Sequence, residues 1–425
     1  MSERPDTGLV AQRQDFGPRS VVSHVDVDTL SPRLIRNMLR EAETGDVAAQ
    51  AELFEKMEEK DGELDAHLRT RKSGVSSLRH EIAPAGDSAA AARAAALCRQ
   101  VVAALPDVGQ AVFDLMDAVP KGFGVLEIEW RTDALAWRPT RLHWRPQRWF
   151  RLAEDGETLL LRESAGGSEM NPLNFIIHRV KARSGFCART GLLRSCVRAF
   201  VVRHISWKDW LAFAEVYGMP PRIGRLREGV PWDSDEAREL WAAVRALGMD
   251  AAAVVREGNE IQVMDTRAVG EGEIFERILD RASRELTLAI LGQTLTSGGE
   301  GGGSYALGKV HNQVRWDLIE SDALALEETL TRQLLEPIVR LNLGQGAPVP
   351  RWRFVLDEPE DMVALAGTVK TLVEAGLPVP RRWAYERFGI PEPSGGEPVL
   401  GEAARDRRDA ETQRPTTAGA ADECR

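Results

Sequence analysis

Apolar residues fall on a 3.6-residue repeat at the start of the chain. Leu34, Ile35, Met38 and Leu39 share one side of a helix that Ser31 caps, Pro32 opens and Gly45 closes. Asp46 is placed to cap a second helix, VAAQAELFEKMEEK, and a further turn or two through Leu64, His67 and Leu68 leads to SSLRHEIAPAG, which reads as a strand. The Ala-rich run DSAAAARAAALCRQVVAAL predicts another helix.

From KGFGVLEIEW to WRPTRLHWRPQRWFRL the repeat changes to two. Leu126, Ile128 and Trp130 face one way and Glu127 and Glu129 the other, as in a sheet buried on one side. ETLLLRES and NFIIHRV are expected to continue that sheet. The first two hundred residues thus predict an α+β unit with segregated helices and mostly antiparallel strands.

Beyond Gly191 the helical repeat returns in LLRSCVRAFVVRHISWKDWLAFAEVYG, which stops at Gly218 before MPPRIGRL. A small mixed unit is expected next: the helix DSDEARELWAAVRALG and the strands AAVVREG and EIQVMD, turned at Gly258-Asn259. EIFERILDRASRELTLAILG then aligns Ile274, Phe275, Ile278, Leu279, Ala282, Leu286 and Ala289. A longer helix, from about Ala306 to Leu343, carries Val314, Leu318, Leu326, Leu330, Leu334 and Ile338. At 1.5 Å per residue it spans roughly 50 Å, and Pro337 is expected to kink it or end its regular part. PEDMVALAGTVKTLVEAGLPVPRRWAYERFGIPEP reads as a helical pair turned at Gly376 and Pro378. The polar residues past Gly395 predict disorder.

A chain of 425 residues that is 43% hydrophobic is long enough for two or three domains. Its net charge of -10 gives no global field toward nucleic acid or anionic lipid. Cys98, Cys187, Cys196 and Cys424 form no C-x-x-C pair and are too few for a disulfide framework, so a reducing compartment is expected. The first twenty residues hold no apolar core of a signal peptide, and no run of about 18 apolar residues occurs, which predicts neither export nor membrane spanning.

GGGSYALGKV, residues 301 to 310, comes within one residue of a phosphate-binding loop. Gly303, Gly308 and Lys309 reproduce G-x-x-x-x-G-K, but Val310 has no hydroxyl for magnesium, and a helix rather than a parallel strand precedes the stretch. The five glycines of GGEGGG instead suit a connector between helices that must touch or yield to something. Trp137, Arg138, Arg141, Trp144, Arg145, Arg148, Trp149 and Arg151 interleave rings with guanidinium groups, a pattern of single-strand or RNA binders, but the expectation is a sheet whose Trp face packs on helices while its arginines pair with acids. His178, Cys187, Cys196 and His204 are zinc-type residues without zinc-type spacing. Glu127 and Glu129 could pair as acids, yet a solvated strand face is the expectation. RHEIAP lacks the second histidine of H-E-x-x-H, and no G-x-S-x-G elbow occurs.

FIIHRV leading to GLLRSCVRAF, then WKDWLAFAEVYGMPPRIGRL, EIQVMDTR, the signature LGQTLTSGGEGGGSYALGKVH with the helix after it, and the closing LVEAGLPVPRRWAYERFGIPEP stand in a telling order. Over most of residues 25 to 395 the chain resembles the portal proteins of tailed bacteriophages, and among them the Mu-like portal family.

The resemblance implies a multi-domain α+β portal fold. Its parts would be a flexible N-terminal arm (1–24), an α+β wing (25–190), stem helices (191–218 and 272–292) around a small clip (219–271), a tunnel loop (293–305), a long channel-to-wing helix (306–343), a crown-like helical region (344–395) and a tail (396–425). It implies a ring of identical subunits, usually a dodecamer, at one capsid vertex of the virion, assembled in the host cytoplasm. Implied partners are double-stranded DNA passing through the channel, the large terminase subunit, capsid and scaffold proteins, and a head-tail adaptor. No enzymatic activity and no cofactor are implied; motor ATP is consumed by the terminase. Thr296, Ser297, Gly298, Gly299, Glu300, Gly301, Gly302, Gly303, Ser304, Tyr305 and Lys309 would face DNA. The alternatives are a P-loop-like nucleotide-binding protein and a nucleic-acid-binding accessory protein using the Arg/Trp strip.

Overall fold

The computed structural model describes residues 4–6, 8–9, 30–133, 136–163, 166–180, 182–218, 222–246, 259–263, 273–294, 305–356 and 362–394. These fall into two compact units, one ending at Leu356 and one beginning at Asp357.

The first unit opens with three helices, α1 (Pro32–Glu43), α2 (Ala48–Lys60) and α3 (Gly62–Ser76). Ser31 accepts from Leu34 N as the cap of α1. Gly45 turns the chain at φ +101°, where Leu152 N donates to its carbonyl at 2.8 Å. A Cβ at Gly45 would lie 2.6 Å from Leu152 O, so only glycine fits. Asp46 accepts from Ala48 N, one position before the N-cap Val47. The expected turn or two after α2 is a full helix, α3, whose inward positions include polar residues and so blur its apolar repeat.

Next come β1 (His80–Ala83), α4 (Ala89–Ala103), α5 (Val108–Leu115), α6 (Ala118–Lys121), and the long strands β2 (Phe123–Asp133) and β3 (Ala136–Arg145). Three short strands follow, β4 (Phe150–Leu152), β5 (Leu159–Glu163) and β6 (Gly166–Ser168), then β7 (Phe175–Arg179). β2 is the centre of an antiparallel sheet ordered β3-β2-β7. ETLLLRES does not continue that sheet as expected: β5 lies in a second one, β4-β5-β6.

That second sheet covers the face of β2 expected to meet solvent. Phe123 and Val125 pack there with Phe150, Leu152, Leu159 and Phe175, and Phe150 meets Phe123 and Phe175 edge-on at 6.3 and 6.4 Å. Glu127 is therefore fully buried rather than solvated, and Arg145 Nε donates to it at 2.6 Å. The opposite face, Leu126, Ile128 and Trp130, joins α4, α5 and the long helix in the main core.

α7 (Leu193–Gly218) and α9 (Glu273–Leu291) pair as a two-helix stalk. At its base both pack on α1, α2 and α3. Between them in sequence lie β8 (Arg222–Arg225), α8 (Asp235–Ala246) and β9 (Glu260–Val263). β9 pairs antiparallel with β8, a strand formed by PRIGRL, while the expected strand AAVVREG lies outside the described residues.

The long helix runs as α10 (Tyr305–Leu330), a π turn at Thr331–Leu335, and α11 (Glu336–Leu343). Pro337 has no N–H for the carbonyl four residues back, and the wider π turn just before it absorbs that loss without ending the helix. The region after it, expected to be helical, begins with a strand, β10 (Arg351–Phe354), which pairs with β1. In the second unit α12 (Met362–Glu374) and α13 (Arg381–Phe388) turn at Gly376 (φ +91°), and neither helix has a buried residue.

Candidate functional site

The glycine stretch connects α9 to α10. Thr296, Ser297, Gly298, Gly299, Glu300, Gly301, Gly302, Gly303 and Ser304 lie outside the described residues; Tyr305 opens α10 and Lys309 follows one turn later. α9 ends at Gly292 (φ +68°), where a Cβ would meet Val314 at 3.1 Å and Leu318 at 3.7 Å. The end of α9 is thus level with Val314, and α10 reaches roughly 14 Å beyond it to Tyr305 at 1.5 Å per residue.

Below this level the helices are locked by one arginine. Arg71 of α3 donates from Nε and Nη2 to the carboxylate of Asp322 on α10, at 2.7 and 3.0 Å, and from Nη1 to the Ile290 carbonyl of α9 at 3.0 Å. Asp322 is buried and Arg71 is largely shielded from solvent. A bidentate guanidinium grip with a third bond fixes three helices at once.

One turn earlier on α3, His67 Nε2 donates to Thr287 Oγ1 at 3.0 Å, since that hydroxyl spends its own proton on Ser283 O. Glu63 accepts from Ser283 Oγ at 2.8 Å and pairs with Arg203 of α7. Glu63 also lies 3.5 Å from His67 Nε2, and this contact, with Ser283 and Arg203 outweighing burial, holds the Glu63 carboxyl down to about 2. The loop is therefore rooted on a charge-paired frame that joins α3, α7, α9 and α10.

The long helix also serves as a polar spine. Gln333 accepts from Ile177 N at 2.7 Å and donates to Ile177 O at 3.0 Å, closing the free edge of β7. Asn342 does the same for Trp137 on β3, at 2.9 Å in each direction. Thr331 accepts from Trp352 N at 3.0 Å and Glu327 from Phe354 N at 2.7 Å, which ties β10 to the same helix.

The other residues singled out by type do not assemble into a site. Arg145 and Arg148 pair with Glu127 and Glu55, Arg145 also lies over the Trp149 ring at 5.5 Å, and Arg138, Arg141 and Trp144 stay exposed. Trp137 packs against the main core, and Arg151 is half-buried on β4. The strip is thus divided between ion pairs and a partly exposed edge. His178 is buried on β7. Thr329 donates its hydroxyl to Ala325 O and accepts from His178 Nδ1–H at 2.9 Å, so Nε2 carries the bare lone pair in a buried place, without a partner among the described residues. Burial pushes this imidazole down to about 4. Cys187 lies between the two sheets, Cys196 at the stalk base, where burial pushes its thiol up to about 12, and His204 stacks on Phe200. Among the described residues no group of three His, Cys, Asp or Glu could hold a metal, and no helix is long and apolar enough to cross a membrane. Glu129 meets His143 at 2.8 Å, while Glu127 is held by Arg145. His80, of the incomplete H-E-x-x-H, stacks on Trp352 at 4.5 Å.

The first unit thus combines a body of three small sheets and their helices, a two-helix stalk and a long helix that follows the stalk through a glycine stretch. Residues 51–390 match the family described as portal protein of Mu bacteriophage. The chain is 33% identical over 380 residues to the Mu-like prophage FluMu protein gp29 of Haemophilus influenzae, covering 87% of this chain and 72% of that one. It is 32% identical over 405 residues to the portal protein of Escherichia phage Mu, covering 94% and 77%. Its fold is similar to that of a chain in the virion of a native gene transfer agent particle, at TM-score 0.53, 12% identity and coverage of 84% and 94%. A chain in the neck of such a particle, computed with C12 symmetry, gives TM-score 0.51 at 11% identity, with coverage of 86% and 96%. The chain belongs to the Mu family of phage portal proteins.

Proposed function

We propose that copies of this chain close into a ring, a dodecamer, at one vertex of a capsid, and that the stretch from 293 to 305 lines the hole. Double-stranded DNA passes through during packaging and ejection. The terminase large subunit, capsid and scaffold proteins and a head-tail adaptor bind around it, and assembly takes place in the host cytoplasm. The chain itself does no chemistry; ATP is consumed by the motor.

The observation that carries this reading is the pairing of a glycine-rich connector with rigid roots. Arg71 fastens α9 and α10, while the sequence between them holds five glycines, the residue type that restricts backbone conformation least. A lining must meet every DNA sequence without holding any. Each phosphate neutralised by a basic clamp would add affinity and salt dependence, and the stretch from Thr296 to Tyr305 carries no Lys or Arg. The crown-like role of α12 and α13 and the wing, stem and clip roles of the other segments belong to the same proposal.

Negative-stain microscopy of the purified chain tests it. Closed rings with a central hole are expected; a chain that stays monomeric under every assembly condition and never enters proheads overturns it. Shortening GGEGGG to a single glycine is expected to leave rings intact and to abolish packaging. The nucleotide-binding alternative predicts instead that Lys309→Ala removes ATP binding.

A further inference from the structure

The stalk has two unlike flanks above its base. On one, Val202, Ile274 and Ile278 form the floor of a groove of about 330 Å³ between α7 and α9, with Arg277 and Arg281 on its rim beside the mutually paired Arg198 and Glu285; Arg277 is also paired with Glu273, which leaves the rim a net positive charge. Ile274 is 67% exposed and Ile278 37%, although both belong to the apolar face of α9. On the other flank, Trp207 and Leu211 of α7 stand 55% and 54% exposed, with Trp207 set edge-on against Trp210 at 5.7 Å. At 100° per residue, Trp207 and Leu211 lie on the side of α7 opposite Val202, and Glu276 and Asp280 on the side of α9 opposite Ile274 and Ile278.

The levels of these groups agree. Phe213 meets Phe275 at 5.6 Å and Arg203 meets Ser283 at 3.1 Å, which sets the antiparallel register of the stalk. In that register Trp207 is level with Asp280 and Arg281, and Leu211 with Glu276 and Arg277. One flank is therefore an apolar groove with a basic rim, and the other an apolar ridge beside acids at the same height.

A cyclic assembly with more than two subunits needs two different, complementary patches on each copy, at one height along the axis. We propose that Trp207 and Leu211 of one copy seat in the Val202/Ile274/Ile278 groove of the next, with Glu276 and Asp280 facing the neighbour's Arg277 and Arg281. This rests on the ring reading above and adds to it the contact that closes the ring. The occupant is a second copy because this chain carries both halves of the match in charge, shape and level. Burial of the indole and the leucine supplies affinity, and the charges set the register.

The test uses the full chain and charge reversal at exposed positions. Arg277→Glu with Arg281→Glu makes both flanks acidic, and Glu276→Lys with Asp280→Lys makes both basic. Either pair is expected to weaken each junction about 100-fold, because like charges at an interface cost several kcal/mol, so rings vanish in mass photometry and negative stain. Mixing the two variants restores rings in which they alternate, so every ring holds an even number of subunits. Combining all four substitutions in one chain restores rings made of that chain alone, which also shows that the substitutions leave the fold intact. Rings from either variant alone at the wild-type concentration, or no rescue on mixing or combining, overturn the proposal while leaving the ring reading standing. Absence of rings from the wild-type chain overturns both.

Discussion

Replacing Arg71 with Met removes the guanidinium while keeping most of the aliphatic stem that fills its space. Three charge-assisted bonds disappear, two to Asp322 and one to Ile290 O. Asp322 is only 3% exposed, so its carboxylate stays behind in a place it cannot tolerate alone. Removing one partner of a buried pair costs about 3 to 5 kcal/mol, and an orphaned carbonyl adds about 1 kcal/mol. Because the bonds share one donor group the costs overlap, and about 4 kcal/mol is the expected total. That is a quarter or more of the stability of an ordinary domain, and at about 2 to 4 °C per kcal/mol it lowers the main unfolding midpoint by roughly 8 to 16 °C. Differential scanning calorimetry of wild type, Arg71→Met, Asp322→Leu and the double variant completes the cycle. The double variant should be more stable than either single one, with a coupling of about 2 kcal/mol or more, since apolar residues replace a buried pair at little cost. A single variant within about 1 °C of wild type, or a double variant whose loss equals the sum of the singles, refutes the argument.

Gly45→Ala forces a Cβ to 2.6 Å from Leu152 O at a left-handed φ and is expected to lower stability by about 2 kcal/mol or more, read from urea unfolding. His178 has its folded pKa at about 4, below the unfolded value of 6.5, so above pH 6.5 it is neutral in both states. As pH falls from there the unfolded chain takes up the proton first, and stability drops by up to roughly 3 kcal/mol by pH 4; His178→Gln should flatten the pH 7 to 5 part of that curve. Gln333→Ala leaves the N–H and C=O of Ile177 without their bonds and should cost about 1 to 3 kcal/mol, with faster hydrogen exchange at Ile177 as the site-specific readout. A peptide of residues 357–394 should show little helix by circular dichroism, because short helices with no buried face are marginal in water.

The helices that carry their own caps and an unbroken apolar face were legible in the sequence. α1, α7 and α9 match their expected spans because Ser31, Gly45, Gly218 and the repeat through Leu286 are local signals. α3 was not, although Leu64, His67, Leu68, Arg71 and Val75 keep helical spacing: two of those inward positions are polar, and their partners Thr287, Asp322 and Ile290 lie far along the chain. The arginine that roots the loop was missed for that reason. The one available signal was that His67 and Arg71 sit in step with three apolar residues. Strand existence was equally plain in β2 and β5, but their pairings were not: β2 takes its partner β7 from about fifty residues on, and β5 pairs with its neighbours β4 and β6, which alternation alone does not separate from the preceding sheet. Glu127 followed the alternation correctly and still ended buried, since alternation tells which residues share a face and not what covers it.

Gln333 and Asn342 give the central sheet no exposed ladder at the two positions where its outer strands meet the long helix. Outer strands with open amide and carbonyl groups are templates for any other strand nearby, and copies crowded around one axis, as in the proposed ring, would present that hazard continuously. Satisfying those positions from within fits the proposed contact between copies, which runs through helices. A subunit built this way can be made in quantity before any capsid exists without knitting itself into fibrils.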